Sequence, residues 1–354
     1  MEVVEVVTNK KYMELVKLEK EEHIKTRALW ERVFIEDTKE FLDYYYSAKI
    51  QDNEMYVIKE DEKIISTIHL NPYQVKINEE LHKLHYIVAV ATDEKYRKRG
   101  FMGQLLRKTM RVMYDRKEPF TFLMPAAEGI YYPYDFRFVY RRKQGEVCGK
   151  NATSEIEIAP VKEEELHMLA DFANQILAKY QVVTKRDADY YRTIILEQQS
   201  CGGDVMLMKK NADLIGSFCY AKGEKFEIRE PLFSKEEEFL KAVYLLTKSE
   251  SEFVKTFEYG KVQKPIIMVR ILHLETFLKC LKLEKDVDVY IELEDKFIEE
   301  NNGIFHIVGT KIDGITKVEK VKNETNIDKK ITIGDFTEVV FEKYLSKVFL
   351  NEIV

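Results

Sequence analysis

The sequence has few cysteines, no excess of positive charge and no long apolar run. Its four cysteines are scattered along the chain, and no histidine stands near them at the spacing of a metal site: Cys148, Cys201, Cys219 and Cys280. A disulfide framework and a zinc site are therefore not indicated. The net charge of -6 excludes a general basic surface for nucleic acid or anionic lipid, so any anion site has to be local.

No apolar stretch approaches the roughly 18 residues of a membrane span, and the opening stretch MEVVEVVTNKKYMELVKLEK is charged throughout. We therefore expect a cytoplasmic protein with no membrane and no nucleic-acid partner. The composition that is present, 45% hydrophobic and 33% charged over 354 residues, is that of a folded protein. This length accommodates two or three domains.

The first part of the chain shows an α/β pattern. Two helical segments are predicted between residues 11 and 47, the second with Asp37 or Thr38 as its N-cap. Strands are predicted in EMYVIKE, IISTIHL, YQVKI and HYIVAVAT. The unbroken apolar run Ile87 to Ala91 in the last of these is typical of a central strand that is covered on both faces.

The stretch YRKRGFMG, residues 96–103, follows that strand and opens a helix. Apolar residues then recur at spacings of three and four, which predicts an amphipathic helix: Met102, Leu105, Leu106, Met110 and Met113. Gly100 and Gly103 allow a close approach of the backbone to a ligand, and a helix start offers amide groups to phosphate. An ordinary charged surface turn is the alternative. Neither GxxxxGK[ST] nor GxGxxG is present, and the remaining motif is RxxGxM.

The RxxGxM loop resembles the pyrophosphate loop of the GNAT acyl-CoA N-acetyltransferases, which reads Q/RxxGxG/A. Met102 departs from the general motif and is similar to the larger apolar residue of the Eis-like branch, in which a V-A-V or V-A-T strand end precedes the loop. The resemblance implies acetyl-CoA as cosubstrate. It implies contacts to this cofactor from the strand end, the loop and a later turn: Val90, Ala91, Thr92, Lys98, Arg99, Gly100, Phe101, Met102, Gly103, Ala126 and Ala127.

A second stretch, PFTFLMPAAEGIYYPYDFRFVY, carries the resemblance further. It reads as a strand, a small-residue turn, an aromatic turn and a strand, and it resembles the IYxxFGY pattern of the Eis-like branch, with Tyr134 and Asp135 in place of Phe and Gly. The resemblance implies that Tyr131 is the general acid for the departing CoA thiolate. A tyrosine with its usual pKa of about 10 is protonated at neutral pH and can donate. For Tyr132, Tyr134 and Tyr140 a packing role is preferred.

The middle of the chain contains an internal repeat. MYVIKEDEKIISTIHL, from residue 55, aligns without gaps on VMLMKKNADLIGSFCY, from residue 205, and a helical segment precedes each copy. This predicts a second α/β unit of the same kind, one that lacks the phosphate loop. The final segment contains a β-rich run in KPIIMVRI, a hairpin with NNG as its turn and a helix in DFTEVVFEKYLSKVFL. It resembles the sterol-carrier-protein-like domain that closes Eis-like chains.

The predicted fold class is therefore α/β (α+β). We predict a catalytic GNAT domain over residues 1–150, a second GNAT-like domain over 151–262 and a sterol-carrier-protein-like domain over 263–354. The resemblance also implies a homo-oligomer. Among other candidate residues, Trp30 on an early helix either stacks on a substrate or belongs to the core, and the core is preferred. His82 and His85 are expected to be one surface and one packed histidine.

The resemblance implies an N-acetyltransferase that moves an acetyl group from acetyl-CoA to a primary amine in a direct ternary complex. The amine belongs to a small molecule or a lysine side chain, and no metal is required. In Eis-like enzymes the C-terminal carboxylate serves as the base, which places that role on Val354, with Glu352 adding negative potential. An ordinary frayed terminus is the alternative. The competing function is a non-catalytic GNAT-derived acyl-CoA-binding or lipid-binding regulatory module.

Overall fold

The computed structural model describes residues 13–151, 155–222, 226–322 and 324–352; Ile353 and Val354 lie outside these ranges. Helices α1 to α9 are Arg27–Val33, Lys39–Ser47, Phe101–Asp115, Glu128–Tyr131, Leu166–Leu177, Ala188–Ser200, Glu236–Thr247, Leu274–Lys279 and Ile333–Tyr344. Strands β1 to β9 are Met13–Lys17, Glu54–Glu60, Lys63–Ile77, Glu80–Thr92, Phe120–Leu123, Arg137–Cys148, Ile156–Pro160, Val182–Thr184 and Asp204–Lys210. Strands β10 to β18 are Asp213–Lys222, Phe226–Phe233, Phe253–Phe257, Val262–Ile271, Val287–Glu294, Gly303–Thr310, Gly314–Val321, Lys329–Thr332 and Val348–Phe349.

Within these ranges the strands form a mixed sheet of 14 strands and a separate sheet of four. The large sheet runs β1-β2-β3-β4-β5-β13-β6-β12-β11-β10-β9-β7, with β8 beside β3 and β18 beside β8. The small sheet runs β16-β15-β14-β17, and α9 contacts both sheets. No helix in the described part of the chain combines the length and the apolar character that crossing a membrane requires. The predicted mixture of sheets and helices is confirmed.

The internal repeat appears as two units with the same strand pairing. In the first, β1 to β4 pair antiparallel and β4 pairs parallel with β5; in the second, β7, β9, β10 and β11 pair antiparallel and β11 pairs parallel with β12. The hairpins β2–β3 and β9–β10 both turn through left-handed residues, at Asp61 (φ 53) and Asn211 (φ 50). This is the second unit that the repeat predicts.

The two units exchange the strand that follows their parallel pair. Strand β13, which comes after β12 in sequence, pairs antiparallel with β5 of the first unit, and β6, which comes after β5, pairs antiparallel with β12 of the second. Strands β13 and β6 also pair with each other at the centre of the sheet. The predicted boundary between residues 262 and 263 therefore falls at the start of β13, a strand of the large sheet. The three-domain division stays a prediction.

Most predicted elements lie where the residue pattern places them. Thr38 caps α2 by accepting a hydrogen bond from the Phe41 amide, and α3 buries its apolar face, with Leu105, Leu106, Met110 and Met113 fully covered. Trp30 is 3% exposed and donates to Asp37 Oδ2 at 2.7 Å, so it is a core residue. The region of predicted early helices begins with strand β1, which the pattern does not indicate.

The predicted tight NNG turn is wrong. Strands β14 and β15 do form an antiparallel hairpin, but residues 295–302 connect them. Asp295 at the start of this connection accepts a hydrogen bond from buried Arg270 at 2.6 Å, and Asn301 donates to Asp295 Oδ2 at 3.0 Å and to the Leu272 carbonyl at 2.7 Å. These hydrogen bonds anchor the connection to the buried Arg270 of β13.

Candidate active site

The site is built on the divergence of β4 from β5. A single residue pair, Tyr86 with Phe122, joins these parallel strands in the described structure. Beyond Tyr86, the strand end Val90, Ala91 and Thr92 has β3 on one side and no strand on the other within the described residues. Divergence of two parallel strands in the middle of a sheet opens a cleft whose wall is exposed strand backbone. The sequence-predicted strand-end residues lie along this wall.

A β-bulge shapes the same strand. Ala89 has a left-handed backbone (φ 51), and the β3–β4 register shifts between the pairs His69 with Val88 and Thr67 with Ala91. A bulge places two residues opposite one and turns the strand away from its neighbours. A left-handed alanine is uncommon and is maintained only where its surroundings require it. The bulge therefore lies where β4 leaves β5.

The loop after β4 leads into α3 through a left-handed glycine. Gly100 (φ 81, ψ 6) is the N-cap of α3, and the first intrahelical bond joins the Gln104 amide to the Gly100 carbonyl at 3.1 Å. The amides of Phe101, Met102 and Gly103 precede that bond and have no intrahelical partner. A Cβ placed on Gly100 would meet no atom within 4 Å. The helix start thus faces open space.

The second glycine of the loop has a different role. A Cβ on Gly103 would lie 2.5 Å from the Tyr134 hydroxyl oxygen, so a glycine is needed there for packing. The cationic residues ahead of α3, Lys98 and Arg99, are exposed. The Arg99 guanidinium lies 5.1 Å from the Tyr96 ring centroid and donates to the Lys95 carbonyl at 3.0 Å. The loop therefore combines exposed positive charge with unpaired helix amides, which favours an anionic ligand.

Tyr131 ends the short helix α4 and is 7% exposed. Its ring packs edge-on against Phe136 at 5.9 Å, in the same buried cluster as Ile87 of β4 and Leu123 of β5. Its hydroxyl has no hydrogen-bond partner among the residues that the structure describes. Burial raises the pKa of Tyr131 to about 12, so the phenol is protonated at neutral pH. Ala126 and Ala127 lie exposed in the loop between β5 and α4.

The other tyrosines of this region make packing contacts. The Arg137 guanidinium lies 3.7 Å from the Tyr132 ring centroid, and Tyr134 packs against Phe297 at 5.3 Å. The hydroxyl of buried Tyr140 donates to Glu258. These contacts agree with the packing role preferred for the three residues from the sequence.

The C-terminal segment, residues 348–352, packs against the rest of the protein. Strand β18 pairs parallel with β8, and Phe349 and Leu350 are buried. Glu352 is 4% exposed and accepts a hydrogen bond from Arg186 Nη1 at 3.0 Å. Arg186 also donates to both carboxylate oxygens of Glu230 at 3.1 Å. Val354, the predicted base, lies outside the described residues.

Next to Glu352 lies a cavity of about 40 Å³ between the first unit, the second unit and the C-terminal segment. Its lining is aromatic and acidic: Tyr73, Tyr190, Tyr191, Ile194, Glu197, Gln198, Cys219, Arg229, Glu230, Asn351 and Glu352. A neighbouring cavity of about 170 Å³ shares Tyr73, Tyr190 and Glu197 and adds Asp52, Asp187 and Asp189. Burial raises the pKa of Glu197 to about 7. Carboxylates outnumber cationic side chains in both linings, although Arg229 lines the smaller cavity and Lys49 and Lys185 line the larger one.

Tyr73 connects these cavities to the strand junction. Its ring lies 6.3 Å from the rings of Tyr86 and Phe122, the residue pair at which β4 and β5 separate. The acidic cavities were not predicted from the sequence, because Glu197 and Glu230 belong to the second unit. The available signal was the presence of charged residues within apolar segments, as in EIREPLF and FLNEIV.

Residues 14–139 match the family model of the acetyltransferase (GNAT) domain. No curated protein matches the sequence. Similar solved structures include a conserved protein of unknown function from Enterococcus faecalis, described as a probable N-acyltransferase (15% identity, TM-score 0.76, covering 96% of this chain and 97% of that one). A GCN5-related N-acetyltransferase from Anabaena variabilis is 14% identical, with a TM-score of 0.72 and coverages of 96% and 98%. Eis1 from Mycobacterium abscessus is 12% identical, with a TM-score of 0.66 and coverages of 94% and 89%.

The chain therefore carries a GNAT acetyltransferase domain, and the overall architecture is shared with these structures over nearly the whole chain. At these identities the structural likeness establishes the fold. The resemblance that the loop and tyrosine motifs suggest is confirmed for the GNAT domain. The roles of individual residues remain predictions.

Proposed function

We propose that the protein is an acetyl-CoA-dependent N-acetyltransferase that moves an acetyl group to a primary amine in a direct ternary complex. The opening between β4 and β5 carries the proposal. It places the strand end Val90 to Thr92 ahead of the left-handed Gly100 loop, and Tyr131 packs in the cluster that joins β4 to β5. Strand backbone, helix amides and an acidic hydroxyl are the groups that binding and cleavage of a thioester require.

The loop fits a pyrophosphate. The unpaired amides of Phe101, Met102 and Gly103 donate to phosphate oxygens, and Lys98 and Arg99 add positive charge from an exposed position. The absence of any atom within 4 Å of a Cβ on Gly100 supports this fit, since a ligand can approach the backbone there. The strand-end residues and the exposed Ala126 and Ala127 border the pantetheine arm in this proposal.

Tyr131 supplies the proton for the leaving group. As the amine nitrogen attacks the acetyl carbonyl carbon, the C–N bond forms, the C–S bond breaks, and the Tyr131 hydroxyl donates its proton to the thiolate. The amine gives up its own proton to a base, for which we propose the carboxylate of Val354, directly or through water. Solvent then returns a proton to Tyr131. No covalent enzyme intermediate is needed.

The acidic cavities favour a cationic acceptor. Glu197, Glu230 and Glu352 line the smaller one, and Glu352 Oε2 is buried without a hydrogen-bond partner among the described residues. An unpaired buried acceptor is costly unless a donor reaches it. An ammonium group of a polyamine, an aminoglycoside-like molecule or a lysine side chain supplies such donors.

Further parts of the proposal concern the whole protein. We propose that the small sheet with α8 and α9 is the sterol-carrier-protein-like domain, that the protein works in the cytoplasm, and that it assembles as a homo-oligomer. Light scattering at micromolar concentration tests the last point, and a monomer contradicts it.

Turnover of acetyl-CoA tests the main proposal. Purified protein is incubated with acetyl-CoA and a panel of a polyamine, an aminoglycoside and a lysine peptide; free thiol is followed with a thiol reagent and the product by mass spectrometry. We expect amine-dependent thiol release and a product heavier by one acetyl group. Tight binding of acetyl-CoA without turnover of any amine would favour the regulatory module instead. Failure to bind acetyl-CoA would contradict both functions.

A further inference from the structure

Three metal-ligating side chains meet on the side of the fold where β4 begins. Among the described residues, Glu80, His82 and Cys280 form a group whose ligand atoms all lie within 4.8 Å of one another. His82 Nε2 lies 3.2 Å from Cys280 Sγ and 3.3 Å from Glu80 Oε2, and Glu80 Oε2 lies 3.9 Å from Cys280 Sγ. None of these residues belongs to the site described above.

The local structure explains why the three side chains converge. Glu80 and His82 are two residues apart on β4, so they point to the same face of the strand. Cys280 caps the C-terminal end of α8, and its carbonyl accepts a hydrogen bond from Asn78 Nδ2 at 2.7 Å. His85, three residues after His82, faces the other way and is buried against Glu118, with Nδ1 at 2.7 Å from the carboxylate. The strand therefore separates a packed histidine from one that is available as a ligand.

The distances match a zinc polyhedron. With Zn–S near 2.3 Å and Zn–N and Zn–O near 2.0 Å, three vertices of a tetrahedron lie about 3.3 to 3.6 Å apart. The observed separations of 3.2, 3.3 and 3.9 Å bracket these values. A donor set of one thiolate, one imidazole and one carboxylate suits Zn²⁺. Each separation lies within about 0.4 Å of the tetrahedral value, so a small movement of the exposed Glu80 side chain completes the geometry.

We propose that Glu80, His82 and Cys280 bind a zinc ion, which cross-links the start of β4 to the end of α8. Binding replaces the thiol proton of Cys280, which is released to water, and uses the Nε2 lone pair of neutral His82. Cys280 is buried, His82 is partly covered and Glu80 is exposed, so the fourth position faces solvent and takes water. The zinc site would join the first unit to the segment that carries the small sheet. This site is independent of the proposed acetyl transfer.

The spacing of ligands in the sequence could not reveal this site. Glu80 and Cys280 are separated by 200 positions in the sequence. The third ligand, His82, lies two positions after Glu80. A short spacing between cysteines and histidines is the usual sequence signal of a metal site, and this chain lacks such a spacing. Contacts between β4 and the end of α8 bring the ligands together only in the folded chain.

Zinc titration of the untagged full-length protein tests the proposal. After treatment with a chelator and dialysis, zinc is titrated in competition with a chromophoric chelator, and cobalt is titrated as a spectroscopic substitute. We expect one zinc per chain, a thiolate-to-cobalt charge-transfer band and release of about one proton per zinc. Zinc should also raise the thermal unfolding midpoint.

Single substitutions assign the ligands. Cys280→Ser should abolish the charge-transfer band, and His82→Ala and Glu80→Gln should each weaken zinc binding by at least about tenfold. Two matched variants should bind like wild type: Cys201→Ser removes another partly covered thiol, and Glu79→Gln removes the neighbouring exposed carboxylate, which pairs with Lys282. If Cys280→Ser does not fold, His82→Ala at a partly exposed position still decides the matter. Less than one zinc per wild-type chain, or unchanged affinity in any of the three ligand variants, would overturn the proposed site.

Discussion

Arg186 and Glu352 lie 166 residues apart in the sequence, and their side chains form a 3.0 Å ion pair in which both are buried. The same guanidinium holds Glu230 of β11, so one cation joins the second unit to the C-terminal segment. Removing either carboxylate should therefore destabilise the fold less than removing the arginine, because loss of the arginine leaves two buried negative charges without a cation.

The first prediction concerns the stability of this group. Arg186→Met leaves two buried carboxylates without their cation, and it should lower the free energy of unfolding by about 3–5 kcal/mol. Glu352→Gln keeps a hydrogen-bond acceptor for Arg186, so it should lower the free energy of unfolding by a smaller amount. Asp189→Asn, whose exposed carboxylate pairs with Arg192, is the control and should change stability by less than about 0.5 kcal/mol. Urea unfolding measures all three. Equal losses for Arg186→Met and Asp189→Asn would show that the buried group does not hold the segment.

Extending the C-terminus should impair catalysis. A tag fused after Val354 displaces the carboxylate that we propose as base, and turnover should fall by about 100-fold or more, while acetyl-CoA binding is kept. An N-terminally tagged protein is the control. Steady-state kinetics and calorimetric titration give the two readouts. Acetylation at the untagged rate by the C-terminally tagged protein would rule out the terminal carboxylate, and a base within the first unit would have to be sought.

A negative charge introduced at position 100 should weaken the binding of acetyl-CoA. Aspartate and asparagine both tolerate the left-handed backbone better than most residues, so Gly100→Asp and Gly100→Asn differ chiefly in charge. Repulsion of about 1–4 kcal/mol from a pyrophosphate should weaken acetyl-CoA binding in Gly100→Asp by about 5-fold to 1,000-fold relative to Gly100→Asn. Calorimetric titration measures both, with circular dichroism as the folding control. Equal affinities would argue against phosphate at the start of α3.

Removing the Tyr131 hydroxyl should slow the reaction without loosening the fold. Tyr131→Phe should lower kcat by about 100-fold to 10,000-fold, with acetyl-CoA affinity unchanged and thermal stability kept, since the hydroxyl has no partner in the described structure. Because the pKa of Tyr131 is about 12, its ionisation should cause no loss of activity near neutral pH. Tyr132→Phe is the neighbouring control and should behave like wild type. Wild-type kcat in Tyr131→Phe would exclude this residue as the acid.

Glu197 should make acceptor binding depend on pH. Its pKa is raised to about 7, so the folded state binds its proton more tightly than the unfolded state, and stability falls as the pH rises from the unfolded value near 4.5 through about 7. Above pH 7 the carboxylate is ionised and attracts a cation, so KM for a diamine should fall as the pH passes through 7. In Glu197→Gln this change should disappear, and the variant should be more stable than wild type at pH 8 by on the order of 1–3 kcal/mol. An identical KM profile in Glu197→Gln would place the amine elsewhere.

The residue pattern predicts the parts of this protein that depend on local sequence. The strand HYIVAVAT, the glycine loop and the amphipathic α3 follow from periodicity and from one left-handed glycine. The repeat from residue 205 predicts the second unit because the same alternation and two-residue turn recur. The resemblance of the aromatic turn to a family motif indicates Tyr131, and its buried setting agrees with that interpretation.

The features that the pattern does not indicate are contacts between distant segments. The exchange of β13 and β6 depends on which strand edges meet, and apolar runs alone do not specify a partner. Glu197, Glu230 and Glu352 line one cavity only after the second unit and the C-terminal segment pack together. The Asp295–Arg270 pair, which anchors the β14–β15 connection to β13, likewise joins residues that are distant in the sequence.

The exchange of strands sets an order for folding during synthesis. Strand β5 ends at Leu123, and β13, which covers its edge, begins at Val262. At a translation rate of about 5–20 residues per second, that edge emerges roughly 7–28 s before its partner does. An uncovered strand edge in a nascent chain can pair with other chains, so we expect this interval to be the period of synthesis in which the chain is most exposed to aggregation.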